Sequence, residues 1–499
     1  MLFRPGDNVR MWDTTLYEEN GVFHLFYLAG GNIGHAVTSD FMDFQECPQI
    51  NCIGKQGAWN EHGVPLTGCV VKTSENYKML LGTKHPVTEA QVYGLYESED
   101  LYTWQEYKSN PVLCADGVYY GNTVLERDWY MFSAWRDPQM YEYKNGWYYI
   151  CMCARTPAFD HSTTGALVAN MRTQDFKYFE FLSPIDNVGD KVKYAECPDC
   201  FTIDNNKYIT FLDHGWGGLR IHTSTREDSS GTYYKKFNAE KQCFEWLPDS
   251  LLIGTANDRQ GAWAARTCQV GNQRLLYHHT TATKPAFAFP KVVQVRKNGE
   301  LYLAYFETMN KLLGDVIKLK SDAVQGDLGL WTHKKSNYLG KCHAWGSAVT
   351  LVTKISDICV QTTINMKFGA RAGVVLRCSE KDEYTSGMAV FLDFERNAIQ
   401  MEELAYRYAE GYGHSHSDIV RGGVIRDVDS KKINLEYGKN YSLKIFARSE
   451  FFEVYLNNEW VMTKAFEKMN KFGSLQLMLE RGEAEFVVTA NQLIGSLNE

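Results

Sequence analysis

A chain of 499 residues exceeds one ordinary hydrophobic core, so two domains are the first expectation. With 44% hydrophobic and 22% charged residues it has the make-up of a soluble globular protein, and a net charge of −8 without basic clusters argues against a nucleic-acid partner or an anionic membrane surface. No apolar run nears the roughly 18–20 residues that span a bilayer, residues 1–7 lack the apolar stretch of a secretory signal, and 13 cysteines without regular spacing suit free thiols in a reducing compartment, an expectation of cytoplasmic location.

Along the chain, period-2 alternation and β-rich runs dominate. Residues 20–28, 76–82, 144–154, 205–213, 272–280 and 298–307 each join a turn residue to an aromatic and β-branched run, the second half of a hairpin. A second pattern, Asp-apolar-x-x-aromatic, begins at Asp40, Asp100 and Asp175. Its separations of 60 and 75 residues suit four-stranded units with long loops, the mark of a propeller. At about 60–65 residues per unit, residues 1–317 predict a five-bladed β-propeller. The stretch 318–336 is richer in Lys, Asp and Gly and reads as a connector. From residue 337 to 499 alternating strands return without the Asp signature, which predicts a β-sandwich and makes the chain all-β.

In a propeller the first strand of each blade lines the central channel, so acids from separate blades can converge there. Three acids each stand just before an aromatic strand: Asp13 in Met11-Trp12-Asp13-Thr14, Asp137 in Arg136-Asp137-Pro138, and Glu196 in Tyr194-Ala195-Glu196-Cys197-Pro198-Asp199. Retaining hydrolysis of a glycoside needs two such carboxyl groups, one to attack the anomeric carbon and one to protonate the leaving oxygen. Taken singly, each could be an ordinary turn, strand-end or surface acid.

These blocks resemble glycoside hydrolase family 32, the invertases, inulinases and levanases. Arg136-Asp137-Pro138 matches the family's RDP motif and Glu196-Cys197-Pro198-Asp199 its ECPD string. Asp13 upstream of His24-Leu25-Phe26-Tyr27 matches its first block in part. Weaker likeness runs through Gly34-His35-Ala36 and Phe289-Pro290-Lys291, so the resemblance covers residues 9–306. It implies that Asp13 is the nucleophile, Asp137 the transition-state stabiliser and Glu196 the general acid/base. Arg136 would orient the stabilising carboxylate and Cys197 would tune the acid beside it. The substrate would be a terminal β-fructofuranosyl unit of sucrose or a fructo-oligosaccharide.

The first block departs from the family. Trp12 precedes the nucleophile where the family has Asn, Thr14 and Thr15 follow it where the family has Pro and Asn, and Leu28-Ala29-Gly30-Gly31 replaces a Gln-containing segment. Trp12 is therefore a candidate sugar contact, and a related furanoside linkage is an alternative. Trp59, Trp135, Trp216 and Trp263 could stack on sugar rings or pack between blades. His214, on the loop after the strand that follows Glu196, could meet the leaving group. Cys197-Pro198-Asp199-Cys200 has redox or zinc spacing, but no second pair accompanies it, and His414-Ser415-His416 reads as a solvated loop. Carboxylates and water suffice for the chemistry, so no metal or cofactor is expected. A fructosyltransferase with the same residues and a non-catalytic carbohydrate-binding propeller are the competing readings. Oligomeric state is left open, a homo-oligomer included.

Overall fold

The computed structural model describes residues 2–495 apart from 7–8, 123–133, 158–164, 189–191, 193, 214–229, 256–261, 281–283, 321–322, 326–328, 344–345, 382–383, 411–416 and 467–469. His214, Trp216, His414 and His416 lie outside the described residues. Apart from two short 3-10 turns, the described elements are all β-strands, and among the described residues no helix is long and apolar enough to cross a membrane.

The first sheet runs β1 (Trp12–Glu19), β2 (Val22–Ala29), β3 (Asn32–Thr38) and β4 (Gln45–Ile50). The second runs β5 (Leu66–Lys72), β6 (Tyr77–Lys84), β7 (Gln91–Ser98) and β8 (Gln105–Glu106), with β9 (Leu113–Cys114) also on β7. The third is β10 (Arg136–Glu142), β11 (Tyr148–Arg155), β12 (Ala166–Thr173) and β13 (Glu180–Asn187). The fourth is β14 (Glu196–Ile203), β15 (Asn206–Asp213), β16 (Ser230–Asn238) and β17 (Cys243–Glu245), with β18 (Leu251–Thr255) on β16.

These four separate sheets stand in a propeller arrangement, where the sequence predicts five blades. The segment expected to supply the fifth is β19 (Trp263–Val270), β20 (Gln273–His279), β21 (Lys291–Val295) and β22 (Leu301–Tyr305), and it does not stand alone. Ala304 on β22 pairs with Glu459, which carries this segment into one continuous sheet with the C-terminal region. An outer strand with open hydrogen-bonding groups takes any strand that lies against it, and here the C-terminal region supplies one.

The first strand of each unit is innermost: β1 packs on β5, β5 on β10, β10 on β14, β14 on β19, and β19 on β1. The second strands are buried on both faces. Along β2, Phe23, Leu25 and Tyr27 enter one core while Phe26 and Leu28 enter another, so an almost unbroken apolar run is what the position demands.

The Asp repeat has a local cause. Asp40, Asp100 and Asp175 cap tight turns between third and fourth strands: Asp100 Oδ1 accepts the backbone N–H of Tyr102 at 2.8 Å and of Thr103 at 2.7 Å, and the other two act likewise. The apolar residue that follows each Asp (Phe41, Leu101, Phe176) sits at φ of 63°, 67° and 59° and is buried. A side chain thus drops into the blade core at the bend, repaying a left-handed conformation that non-glycine residues rarely adopt.

In the C-terminal region two long strands, Ile358–Lys381 and Gly473–Leu493, pair from Ile358↔Gln492 to Cys378↔Ser474 and enclose a core of their own with their neighbours. The stretch 318–336, which reads as a connector, contains strands Ala323–Gln325 and Gly329–Lys334, paired with Ser347–Ile355 and Asn337–Cys342. Its exposed His333 and Lys334 are residues that suit a sheet edge. The two regions are joined by apolar contacts, such as Phe289 against Phe446 and Phe451. They also share a buried ion pair, Lys291 Nζ to Glu453 Oε2 at 2.8 Å, with both side chains fully buried.

Candidate active site

Each innermost strand breaks register at its start: between Trp12 and Thr14 on β1, Leu66 and Cys69 on β5, Arg136 and Gln139 on β10, Glu196 and Asp199 on β14, and Trp263 and Arg266 on β19. A bulge adds a residue to one strand and re-aims its side chains. On three strands the second residue takes a positive φ: 62° at Asp137, 46° at Cys197 and 48° at Ala264. The second positions are therefore Asp13, Thr67, Asp137, Cys197 and Ala264, and the four polar ones meet at the hub.

An Asp13 carboxylate oxygen, an Asp137 carboxylate oxygen and the Cys197 sulfur lie within 4.8 Å of one another. Thr67 Oγ1 donates to Asp13 Oδ2. The backbone N–H of Cys197 donates to Asp137 Oδ2 at 3.0 Å, and the backbone N–H of Asp137 donates to the Tyr93 hydroxyl at 2.8 Å. That hydroxyl donates in turn to the Thr67 carbonyl at 3.1 Å. Arg136 Nη2 donates to Glu196 Oε1, while its Nε lies 3.8 Å from Asp137 Oδ2. The Tyr194 ring lies under the Arg136 guanidinium at 5.0 Å. The structure thus brings Asp13, Asp137, Glu196, Arg136 and Cys197 into one cluster.

The floor is Arg266, fully buried, whose Nη1 donates to the carbonyls of Gly68 at 3.0 Å and Pro138 at 3.2 Å. One guanidinium therefore ties β5 and β10 to β19. Asp199, the last residue of the ECPD string, is a brace: it accepts from Thr267 N at 2.8 Å and from the Tyr141 hydroxyl at 2.5 Å.

Burial of neighbouring acids sets the electrostatics. Burial, and then the charge of Asp137, push Asp13 up to about 6, against the pull of the Thr67 hydrogen bond and of Arg266. Asp137 is also raised, by burial first, with Arg136 opposing. Burial and the two aspartates hold the Cys197 thiol well above its ordinary range, so it stays protonated. Asp13, Asp137 and Cys197 have the spacing to hold a cation. A soft thiol beside two carboxylates matches neither the all-oxygen shell of Mg²⁺ or Ca²⁺ nor the thiolate and imidazole shell of structural zinc.

The aromatic candidates divide. Trp12 flanks the cluster, its ring 5.3 Å from that of His279. Trp263 begins β19, is buried, and packs with Cys197. Trp59 is not at the site: it is buried in the core between the first two sheets, and its indole N–H donates to Glu106 at 2.6 Å. Thr67, Tyr93, Arg266 and His279 were missed by sequence reasoning. A search for acids ahead of aromatic strands passes over Thr67, and the others lie inside strands that read as ordinary blade filling. The one available signal was positional, since Thr67 is the second residue of β5 as Asp13 is of β1.

The profile described as the glycosyl hydrolases family 32 N-terminal domain matches residues 13–251. No curated protein sequence matches the chain. Among solved structures, the chain is similar to a family 32 β-fructofuranosidase of Bombyx mori, with a TM-score of 0.65 and 16% identity over 99% of this chain and 94% of that one. It is similar to a fructofuranosidase of Schwanniomyces occidentalis complexed with fructose, with a TM-score of 0.66 and 14% identity over 99% and 97%. A sucrose-6-phosphate hydrolase of Lactobacillus gasseri gives 0.65 and 12% over 98% and 93%. Identities this low show the fold.

Proposed function

The chain belongs to glycosyl hydrolase family 32 and is a glycoside hydrolase; from that premise we propose that it is a retaining β-fructofuranosidase releasing terminal fructosyl units from sucrose or short fructo-oligosaccharides. The observation that carries this reading is the convergence of Asp13, Asp137 and the Arg136–Glu196 pair from three strands onto one partly open cluster. Asp13, as carboxylate, attacks the anomeric carbon while Glu196 gives its proton to the leaving glycosidic oxygen. Glu196 then takes a proton from water, which attacks the fructosyl-enzyme and frees Asp13.

Asp137, with Arg136 and the Cys197 amide holding it in place, faces the charge that grows on the sugar ring. A proton on Glu196 weakens its pairing with Arg136, although the acid's carbonyl oxygen still accepts. The bound sugar can then offer Arg136 a further acceptor as Glu196 becomes the acid. We read the C-terminal region as a β-sandwich that buttresses the hub through Lys291 and Glu453.

The test is release of fructose from sucrose, kestose, inulin and levan by the wild type and by Asp13→Asn and Glu196→Gln. Release by the wild type, with both variants down by about 10³ or more, and β-fructofuranose as the first product by NMR, is expected. An α-configured first product refutes retention. A folded wild type that releases nothing from all four refutes the substrate class. In excess sucrose, oligosaccharide products exceeding free fructose favour transfer over hydrolysis.

A further inference from the structure

His279 ends β20 at the hub and is fully buried, yet neither of its ring nitrogens has a hydrogen-bond partner among the described residues. Buried polar atoms are nearly always paired, and an unpaired one calls for an explanation. The imidazole is aimed at the cluster: Nε2 lies 4.0 Å from Asp13 Oδ1, too far for a direct hydrogen bond. A hydroxyl oxygen about 2.8 Å from each atom spans that gap at an angle of about 90°. Trp12 flanks the ring at 5.3 Å, and Trp263 is the β19 partner of His279.

The ring is also held for use. Strand alternation turns His278 to the opposite face. There Lys291 Nζ lies 3.0 Å from His278 Nε2 and pairs with Glu453 of the C-terminal region, so Nε2 accepts. His278 Nδ1 then carries the hydrogen and donates to the carbonyl of His279 at 3.2 Å. The strand end that presents His279 is therefore anchored by a buried polar chain reaching out of the hub. Burial, and then Arg10, lower His279 to about 3. At working pH it is neutral, with one nitrogen to donate and one to accept.

We propose that His279 is a sugar-positioning residue whose neutral imidazole hydrogen-bonds a furanosyl hydroxyl borne next to the carbon that Asp13 attacks. The reacting carbon must come within about 3–3.5 Å of Asp13, which brings hydroxyls on its neighbouring carbons within reach of Nε2. This rests on the reading of Asp13 as the nucleophile of a fructosidase. In fructose the hydroxyls concerned are those on C1 and C3. A site built to bind a hydroxyl discriminates against the analogue that lacks it, because its own polar group is then left unpaired.

The experiment measures kcat and KM for sucrose, together with competitive inhibition by fructose, 1-deoxyfructose and 3-deoxyfructose, in the wild type, His279→Ala and His279→Gln. The wild type is expected to bind fructose at least about fivefold more tightly than one of the two deoxy sugars. His279→Ala should abolish that preference and lower kcat/KM by about 10- to 100-fold; truncating a fully buried ring also lowers the melting temperature, so the preference among the sugars, not stability, is the readout. His279→Gln, which keeps a donor and an acceptor, should restore part of the preference. A wild type active on sucrose whose alanine variant keeps both the preference and kcat/KM overturns this inference alone. So does an alanine variant that loses melting temperature but not the preference. A folded wild type that neither turns over the four sugars nor binds fructose overturns it together with the assigned function.

Discussion

Thr67 donates its hydroxyl proton to Oδ2 of Asp13 from the matching bulge of the adjacent sheet. The two side chains are 54 positions apart in sequence. The bond favours the carboxylate form of Asp13 and works against burial, which favours the protonated form. Thr67→Val keeps the shape and removes the donor. The acidic limb of the kcat/KM profile should then move to higher pH by on the order of one unit. An unmoved limb, with the variant folded, would break the link between this hydrogen bond and catalysis.

Asp13 itself should cost the fold stability at neutral pH. Its folded value, about 6, lies above its ordinary 3.8. A carboxyl raised on folding contributes stability in full below about pH 4, and that contribution is lost as the pH rises through 6. Asp13→Asn removes the charge and should raise stability at pH 7.5 by about 1–3 kcal/mol, with the gain shrinking towards pH 4. Paired urea titrations at the two pH values check this. A gain equal at both would mean that the charge is not its source.

Arg266 should be needed by both the fold and the site. Its guanidinium holds two buried backbone carbonyls and is the cation beneath Asp13 and Asp137. Arg266→Met leaves those carbonyls unpaired and the aspartates less compensated, and should destabilise by about 3–5 kcal/mol. Arg266→Lys keeps the charge but not the fork, and should fall between. In any variant folded well enough to assay, loss of the charge moves the acidic limb upward, because Arg266 lowers Asp13.

Between the two regions, Lys291 and Glu453 are both fully buried, and Glu453 also accepts from Tyr455 and Thr463. Removing one partner strands a buried charge, so Glu453→Gln or Lys291→Met alone should cost about 3–5 kcal/mol. The double variant should recover a substantial part of that loss. A double variant that loses the sum of the two singles would show that the pair does not couple.

Much of this protein was legible in its sequence. Hydrophobic alternation and turn chemistry act over a few residues, so strands, hairpins and the Asp40, Asp100 and Asp175 bends follow from local patterns alone. Asp13, Asp137 and Glu196 could be picked out because a charged residue ahead of an aromatic strand is conspicuous in one dimension. The tertiary structure decided what meets what. Packing five innermost strands around one axis aligned five bulges, and that alignment made Thr67 a partner of Asp13 and Arg266 the floor beneath them. It buried Trp59 between sheets, away from the acids. It carried β22 into the C-terminal sheet, because an open strand edge takes whatever strand packing presents to it. His279 shows the division plainly: its sequence marks it only as the end of a hairpin, and only the packing of β1 against β20 places an unpaired imidazole 4.0 Å from Asp13.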